Sequence, residues 1–130
     1  YYASVHCEVD SAVPILESHD LIDRIEREFI EQTDIILVIH LDPIVIGDPE
    51  LDTYREQIAQ IVTQIDEHFT IHDFRMVKGP THTNLIFDVA THFDTKLSDA
   101  EIVDYIQTGI AKLHPETNVY VVPTVEKQID

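Results

Sequence analysis

Cysteine is almost missing from this chain. A single residue, Cys7, in 130 excludes an internal disulfide and any Cys-x-x-Cys metal or redox motif, a composition that fits a reducing compartment. Glycine is scarce as well: three residues do not make a Gly-rich phosphate loop. Basic residues number 8 against 25 acidic ones, for a formal net charge of −17. A surface that acidic repels nucleic-acid phosphate and anionic lipid, so nucleic acid is excluded as a partner. It attracts cations loosely, although solubility alone accounts for such a charge. No stretch approaches the roughly 20 apolar residues that cross a bilayer, and no signal peptide opens the sequence. No Ser/His/Asp or Cys/His nucleophile set is evident either, which speaks against an enzyme.

What remains is ordinary globular material. The hydrophobic fraction is 44%, enough to bury a core in one domain or two very small ones. The chain opens in strand pattern at Tyr1-Tyr2-Ala3-Ser4-Val5, which reads as a fragment of a longer protein. From Tyr2 to Asp10 the alternation is strict. Ala3, Val5, Cys7 and Val9 fall on one face, and Ser4, His6, Glu8 and Asp10 on the other, the signature of a half-buried strand.

A second strand, Asp34 to Pro43, ends in His40-Leu41-Asp42-Pro43. Residues two apart in a strand point the same way, so His40 and Asp42 project together. An imidazole beside a carboxylate offers two ligands to a borderline divalent cation such as zinc; the same two groups also suit a simple hydrogen-bonded pair at a strand end. Pro43, lacking an N–H, is expected to stop the ladder.

Between these strands lies a helix read from Ser18 as N-cap, with Asp20 and Asp23 near its positive end. Leu21, Ile22, Ile25 and Phe29 form its apolar stripe, and His19 falls in its first turn, off that stripe. The turn Gly47-Asp48-Pro49 follows. A second helix is expected from about Asp52 to His68, with Tyr54, Ile58, Ile61, Ile65 and Phe69 inward. Two strands, Thr70 to Val77 and Asn84 to Phe93, are joined by a hairpin at Lys78-Gly79-Pro80-Thr81. A third helix starts at Ser98, where Ser98 and Glu101 make a capping box. Its stripe is Ile102, Val103, Ile106, Ile110 and Leu113, and His114-Pro115 ends it. A last strand spans Asn118 to Val125, and Glu126 to Asp130 read as a polar, frayed tail.

The order is β-α-β over 1–46, then α-β-β-α-β over 47–130. Leu21-Ile22-Asp23-Arg24-Ile25 matches Ile102-Val103-Asp104-Tyr105-Ile106, and Ile39-His40 stands opposite Tyr120-Val121. The chain therefore reads as a tandem repeat whose first copy is cut to β-α-β. In the second copy Val121 and Pro123 stand at the positions of His40 and Asp42, and Ala100 opposite His19.

Ser4-Val5-His6-Cys7-Glu8-Val9-Asp10, Glu17-Ser18-His19-Asp20-Leu21-Ile22-Asp23 and Ile39-His40-Leu41-Asp42-Pro43 together resemble the cytosolic C-terminal domain of cation diffusion facilitator transporters. Ile71-His72-Asp73-Phe74-Arg75 resembles that domain's leading strand. Asp66 to Val125, with Gly79-Pro80-Thr81-His82-Thr83-Asn84-Leu85, resembles the extra copy carried by some bacterial members. The resemblance implies a ferredoxin-like, metallochaperone-like α/β (α+β) module on the cytoplasmic side of the cell membrane. It implies export of Zn²⁺, Mn²⁺, Fe²⁺, Co²⁺ or Cd²⁺, zinc foremost, by proton antiport through a transmembrane domain of the same full-length protein. It also implies a homodimer that binds metal at its interface, with His6, His19, His40 and Asp42 at the family's ligand positions and His72 as the second copy's leading-strand counterpart. His68, His82, His92 and His114 are expected to be surface or structural residues. A dimerisation module that binds no metal is the alternative function.

Overall fold

The structure, a computed structural model, describes residues 1–128. The chain divides into two compact units, Tyr1–Ile46 and Gly47–Asp130.

The first unit is β1 (Tyr2–Asp10), α1 (Ile15–Thr33) and β2 (Ile36–Ile44). β1 and β2 pair in parallel, from Tyr2 beside Ile36 to Asp10 beside Ile44. A parallel pair needs a crossover, and α1 supplies it. The helix begins before the expected Ser18 cap. Pro14, at φ −54°, is its N-cap residue, and the Pro14 carbonyl accepts from the N–H groups of Glu17 and Ser18. A proline ring presets the backbone for this turn. Ser18 is instead buried inside the helix at 6% exposure, and His19 falls in the second turn. At the other end Asp34 adopts a left-handed φ of 58° and its N–H closes on the Ile30 carbonyl, as αL caps do.

Pro43 does not end the ladder: it pairs with Val9, and Ile44 pairs with Asp10 beyond it. The reason is parity. Ile36 donates to Tyr1 and Ile44 accepts from Ser11, so even-numbered residues of β2 turn their backbone groups toward β1. The missing N–H of Pro43 therefore falls on the free edge, where a strand tolerates proline. The unit's buried apolar core is thin, consisting of Ile22 and Leu37 at 4% and 8% exposure.

The second unit is α2 (Pro49–Ile65), β3 (Thr70–Lys78), β4 (Thr83–His92), α3 (Asp99–Leu113) and β5 (Val119–Gln128), a mixed α-β-β-α-β module. Its sheet order is β3-β4-β5, antiparallel then parallel. Gly47 takes a φ of 75° in the turn. Asp48 then accepts from the Glu50 N–H, with Pro49 as the first helical residue, which starts α2 earlier than Asp52. The capping box at Ser98 and Glu101 is formed in both directions. β5 runs past Val125: Glu126, Lys127 and Gln128 pair with Ala90, Thr91 and His92. That segment is exposed, so pairing with β4 rather than burial fixes it. Ile129 and Asp130, the rest of the expected tail, lie outside the described residues. β3 carries a register shift between His72 and Arg75, with Asp73 at φ 53°, a bulge that the alternation did not announce.

Ile58, Val62, Met76, Leu85, Phe87, Val89, Ile102, Ile106 and Ile110 are fully buried in this unit. The helices touch where α3 has no side chain: a Cβ on Gly109 would lie 3.0 Å from Ile61 Cδ1. Both units contain a parallel strand–helix–strand, β1-α1-β2 and β4-α3-β5. Their faces do not follow the expected alignment, however. His40 is exposed while Val121 belongs to the inward row of buried Val119 and half-buried Val121, Pro123 and Val125. Tyr120, one residue away, is the outward-facing position, and a one-residue slip exchanges the two faces of a strand.

Candidate metal site

Register and alternation together assemble the site. His6 stands beside His40, and Glu8 beside Asp42. All four are even-numbered positions on one face of a two-stranded sheet. The other face is the one α1 covers, since Leu37 is buried there and Ala3, Cys7 and Val9 are half-buried. His6, His40, Glu8 and Asp42 thus point away from the helix.

Within the cluster, the His6 Nδ1 proton is shared with Asp42 Oδ2 at 3.1 Å, the imidazole donating because an ionised carboxylate only accepts. The His6 and His40 rings stack, with centroids 5.1 Å apart and planes 29° from parallel. The two partners of the ion pair are 70% and 37% exposed, so the pair itself contributes little to stability, about 0–1 kcal/mol. Its geometry suits a cation better. With metal–ligand bonds of about 2.0–2.1 Å, neighbouring donors of a tetrahedral site lie about 3.3–3.4 Å apart. The observed separation of 3.1 Å needs to widen by only a few tenths of an ångström when an ion replaces the shared proton.

The remaining expected ligands lie elsewhere. His19 is exposed on α1, the helix that covers the opposite face. His72 belongs to the second unit, where its Nε2 lies 3.0 Å from Thr70 Oγ1 and its register partner is Asp88. Among the described residues no three His, Cys, Asp or Glu side chains already converge on one point. Glu8 is not among the residues that spacing alone brings to this face of the sheet. Its alternation put it on the polar face of the first strand, but its place beside Asp42 depends on the register.

The other histidines are held by local contacts. His114 Nε2 meets Gln57 Oε1 at 2.7 Å and its ring tilts against Tyr54 at 4.8 Å. His68 and His92 meet edge to face at 5.3 Å, and His82 lies edge-on to Tyr120 at 5.9 Å. A groove of about 660 Å³ runs along α2 and α3, floored by Ile61 and Gly109 and rimmed by Glu101 and Asp104. No histidine or cysteine lines it, which makes it a poor place for a borderline cation. Among the described residues no helix is long and apolar enough to cross a membrane. Compared with known proteins, the chain matches no family model, no curated protein and no solved structure.

Proposed function

We propose that this chain is a cytosolic regulatory and dimerisation domain of a divalent-cation efflux transporter of the cation diffusion facilitator type, and that its first unit binds the ion through His6, His40 and Asp42. One observation carries the reading: His6 Nδ1 sits 3.1 Å from Asp42 Oδ2 with the His40 ring stacked alongside. These are two nitrogens and a carboxylate on one exposed sheet face, in an acidic chain that draws cations toward it. The likeness of the His6 and His40–Asp42 segments to that family supports the same reading. A nitrogen and oxygen set suits zinc; without thiolates it also accepts manganese, cobalt, iron or cadmium. In the full-length protein the ion would be cargo as well as signal, exported by proton antiport through a transmembrane domain and sensed on the cytoplasmic side.

The test is calorimetric titration with Zn²⁺ of the wild type and of His40→Ala. Affinity should drop by about tenfold or more in the variant, about 1.4 kcal/mol. Equal affinities would remove the site.

A second reading, a dimerisation module that binds no metal, is favoured by a different observation. Val5 and Val38 are each 44% exposed, and Tyr120 and Val122 are 50% and 48% exposed, so both sheets present apolar side chains to solvent. A flat Zn²⁺ titration together with a stable dimer would support this reading over the first.

A further inference from the structure

We propose that Gln107 closes the free edge of the second unit's sheet by standing in for one residue of a fourth strand, and so keeps a second copy of the chain from adding a strand there. The proposal is independent of the metal-binding reading. β5 is an edge strand, since the sheet order is β3-β4-β5. Its even-numbered residues turn their backbone groups toward β4: the Asn118 and Gln128 carbonyls accept from the N–H groups of Thr83 and Phe93. The odd-numbered residues therefore present their N–H and C=O groups to the open side.

An open strand edge is a template for another chain, and this one suits that use. The run from Val119 to Val125 carries no charge, so the self-repulsion of a chain with a net charge of −17 is weakest along it. Its valines and Thr124 are β-branched, which favours extended pairing. Tyr120 and Val122, on its outward face, are 50% and 48% exposed. A segment of this kind pairs readily with its like.

The Gln107 side chain, reaching over from α3, occupies the place such a strand would take. Its amide nitrogen donates to the Val119 carbonyl at 3.0 Å, and its amide oxygen accepts from the Val121 N–H at 2.8 Å. The orientation of the amide is fixed by these bonds, because the reverse would set donor against donor at Val121. One donor and one acceptor, placed on the two residues that flank Tyr120, are what a single residue of a parallel neighbouring strand supplies. Gln107 is half-buried, and an incoming strand has to displace it at the cost of both bonds. The next odd-numbered position is Pro123, which has no N–H to offer. Side-chain amide and proline together shut the middle of the edge.

The experiment pairs amide hydrogen exchange with sedimentation on the whole chain. It compares the wild type, Q107M, and Q107M combined with V121P, with circular dichroism to check the fold of each. Methionine keeps the length of the side chain and removes the amide. Proline at position 121 removes the edge donor by another route, where an edge strand tolerates it. In the wild type the Val121 amide should exchange more slowly than the Val125 amide further along the same edge, and Q107M should speed Val121 by about fivefold. Q107M should also sediment as larger species than the wild type at equal concentration, and V121P should reverse that growth. Val121 exchanging as fast as Val125 in the wild type overturns the proposal without any variant. Faster Val121 exchange in Q107M with no larger species makes Gln107 a structural contact only and overturns the guarding role. Larger species that persist with V121P grow through another surface and overturn it as well.

Discussion

The His6 imidazole reaches across the strand pair and one step along it to the Asp42 carboxylate, Nδ1 to Oδ2, at 3.1 Å. An ion between these two atoms would take the place of their hydrogen bond. Coordinating histidine must be neutral, so metal binding releases protons and acid opposes it. Zn²⁺ affinity should therefore fall steeply between pH about 7.5 and about 5.5. Calorimetry across that range checks it. A flat profile would mean that carboxylates of the acidic surface alone hold the ion.

In the second unit Tyr54 is buried at 3% exposure. Burial raises the pKa of its phenol, the charge of nearby Glu50 and a hydrogen bond with it raise it further, and Lys78 partly opposes them. Lys78 also pairs with Glu50 at 2.9 Å. A raised phenol favours the protonated form in the folded state. Its contribution is complete below the unfolded value of about 10 and is lost as pH climbs through the higher folded value. Urea midpoints of the wild type should drop as pH rises above about 10, and Tyr54→Phe should flatten that drop. Parallel curves for the two proteins would show that the Tyr54 proton is not the cause.

Gly109 marks the contact of α2 with α3. A Cβ there would meet Ile61 Cδ1, Cγ2 and Cγ1 at 3.0, 3.1 and 3.2 Å, and Ile61 is only 6% exposed. Gly109→Val adds an isopropyl group to a full space, so it should destabilise the second unit by about 1–3 kcal/mol. Ile61→Ala in the same chain should recover part of that loss. No recovery would place the strain elsewhere.

The two-stranded sheet of the first unit has a free edge on each strand. On β2 the edge includes Pro43, which blunts it. On β1 it carries the backbone N–H groups of Tyr2, Ser4 and His6, because odd-numbered β1 groups face β2, as Tyr1 and Ser11 show. We expect self-association through the β1 edge, seen as a dimer in sedimentation at micromolar concentration. Ser4→Pro removes an edge donor without touching the β1–β2 ladder and should give a monomer. A wild type that sediments as a single 14.9 kDa species would end this expectation.

Much of this was legible from spacing alone. Alternation located β1 and the outward pair of His40 and Asp42, and the Ser98–Glu101 box located the start of α3, because these signals are local. What the sequence hid was relational. The start of α1 at Pro14 rather than Ser18 turned on a backbone angle fixed by proline, a stronger constraint than a serine cap. The pairing of Glu8 with Asp42 turned on register, which belongs to two strands at once. The match of His40 to Val121 failed on facing, since one residue of slip in a strand exchanges inside for outside.

The last prediction follows from the contrast between the two cores. Ile22 and Leu37 are the buried apolar side chains of the first unit, against a long buried series on α2, β4 and α3 in the second. Small units with little buried area are marginal, and they open before well-packed ones. Amides of β1 and β2 should therefore exchange with deuterium faster than those of β4. An ion that binds the folded first unit and not its open form stabilises it by mass action, about 2.7 kcal/mol at a free concentration about 100-fold above Kd. Zn²⁺ should then slow β1 and β2 exchange by up to about 100-fold while leaving β4 unchanged. Such selective ordering is what a domain needs in order to report metal load, because a ligand shifts an equilibrium only by its differential affinity for the two states. The control is the double variant His40→Ala, Asp42→Ala. If its β1 and β2 amides are slowed as much as those of the wild type, the ion is screening surface charge and the sensing role fails.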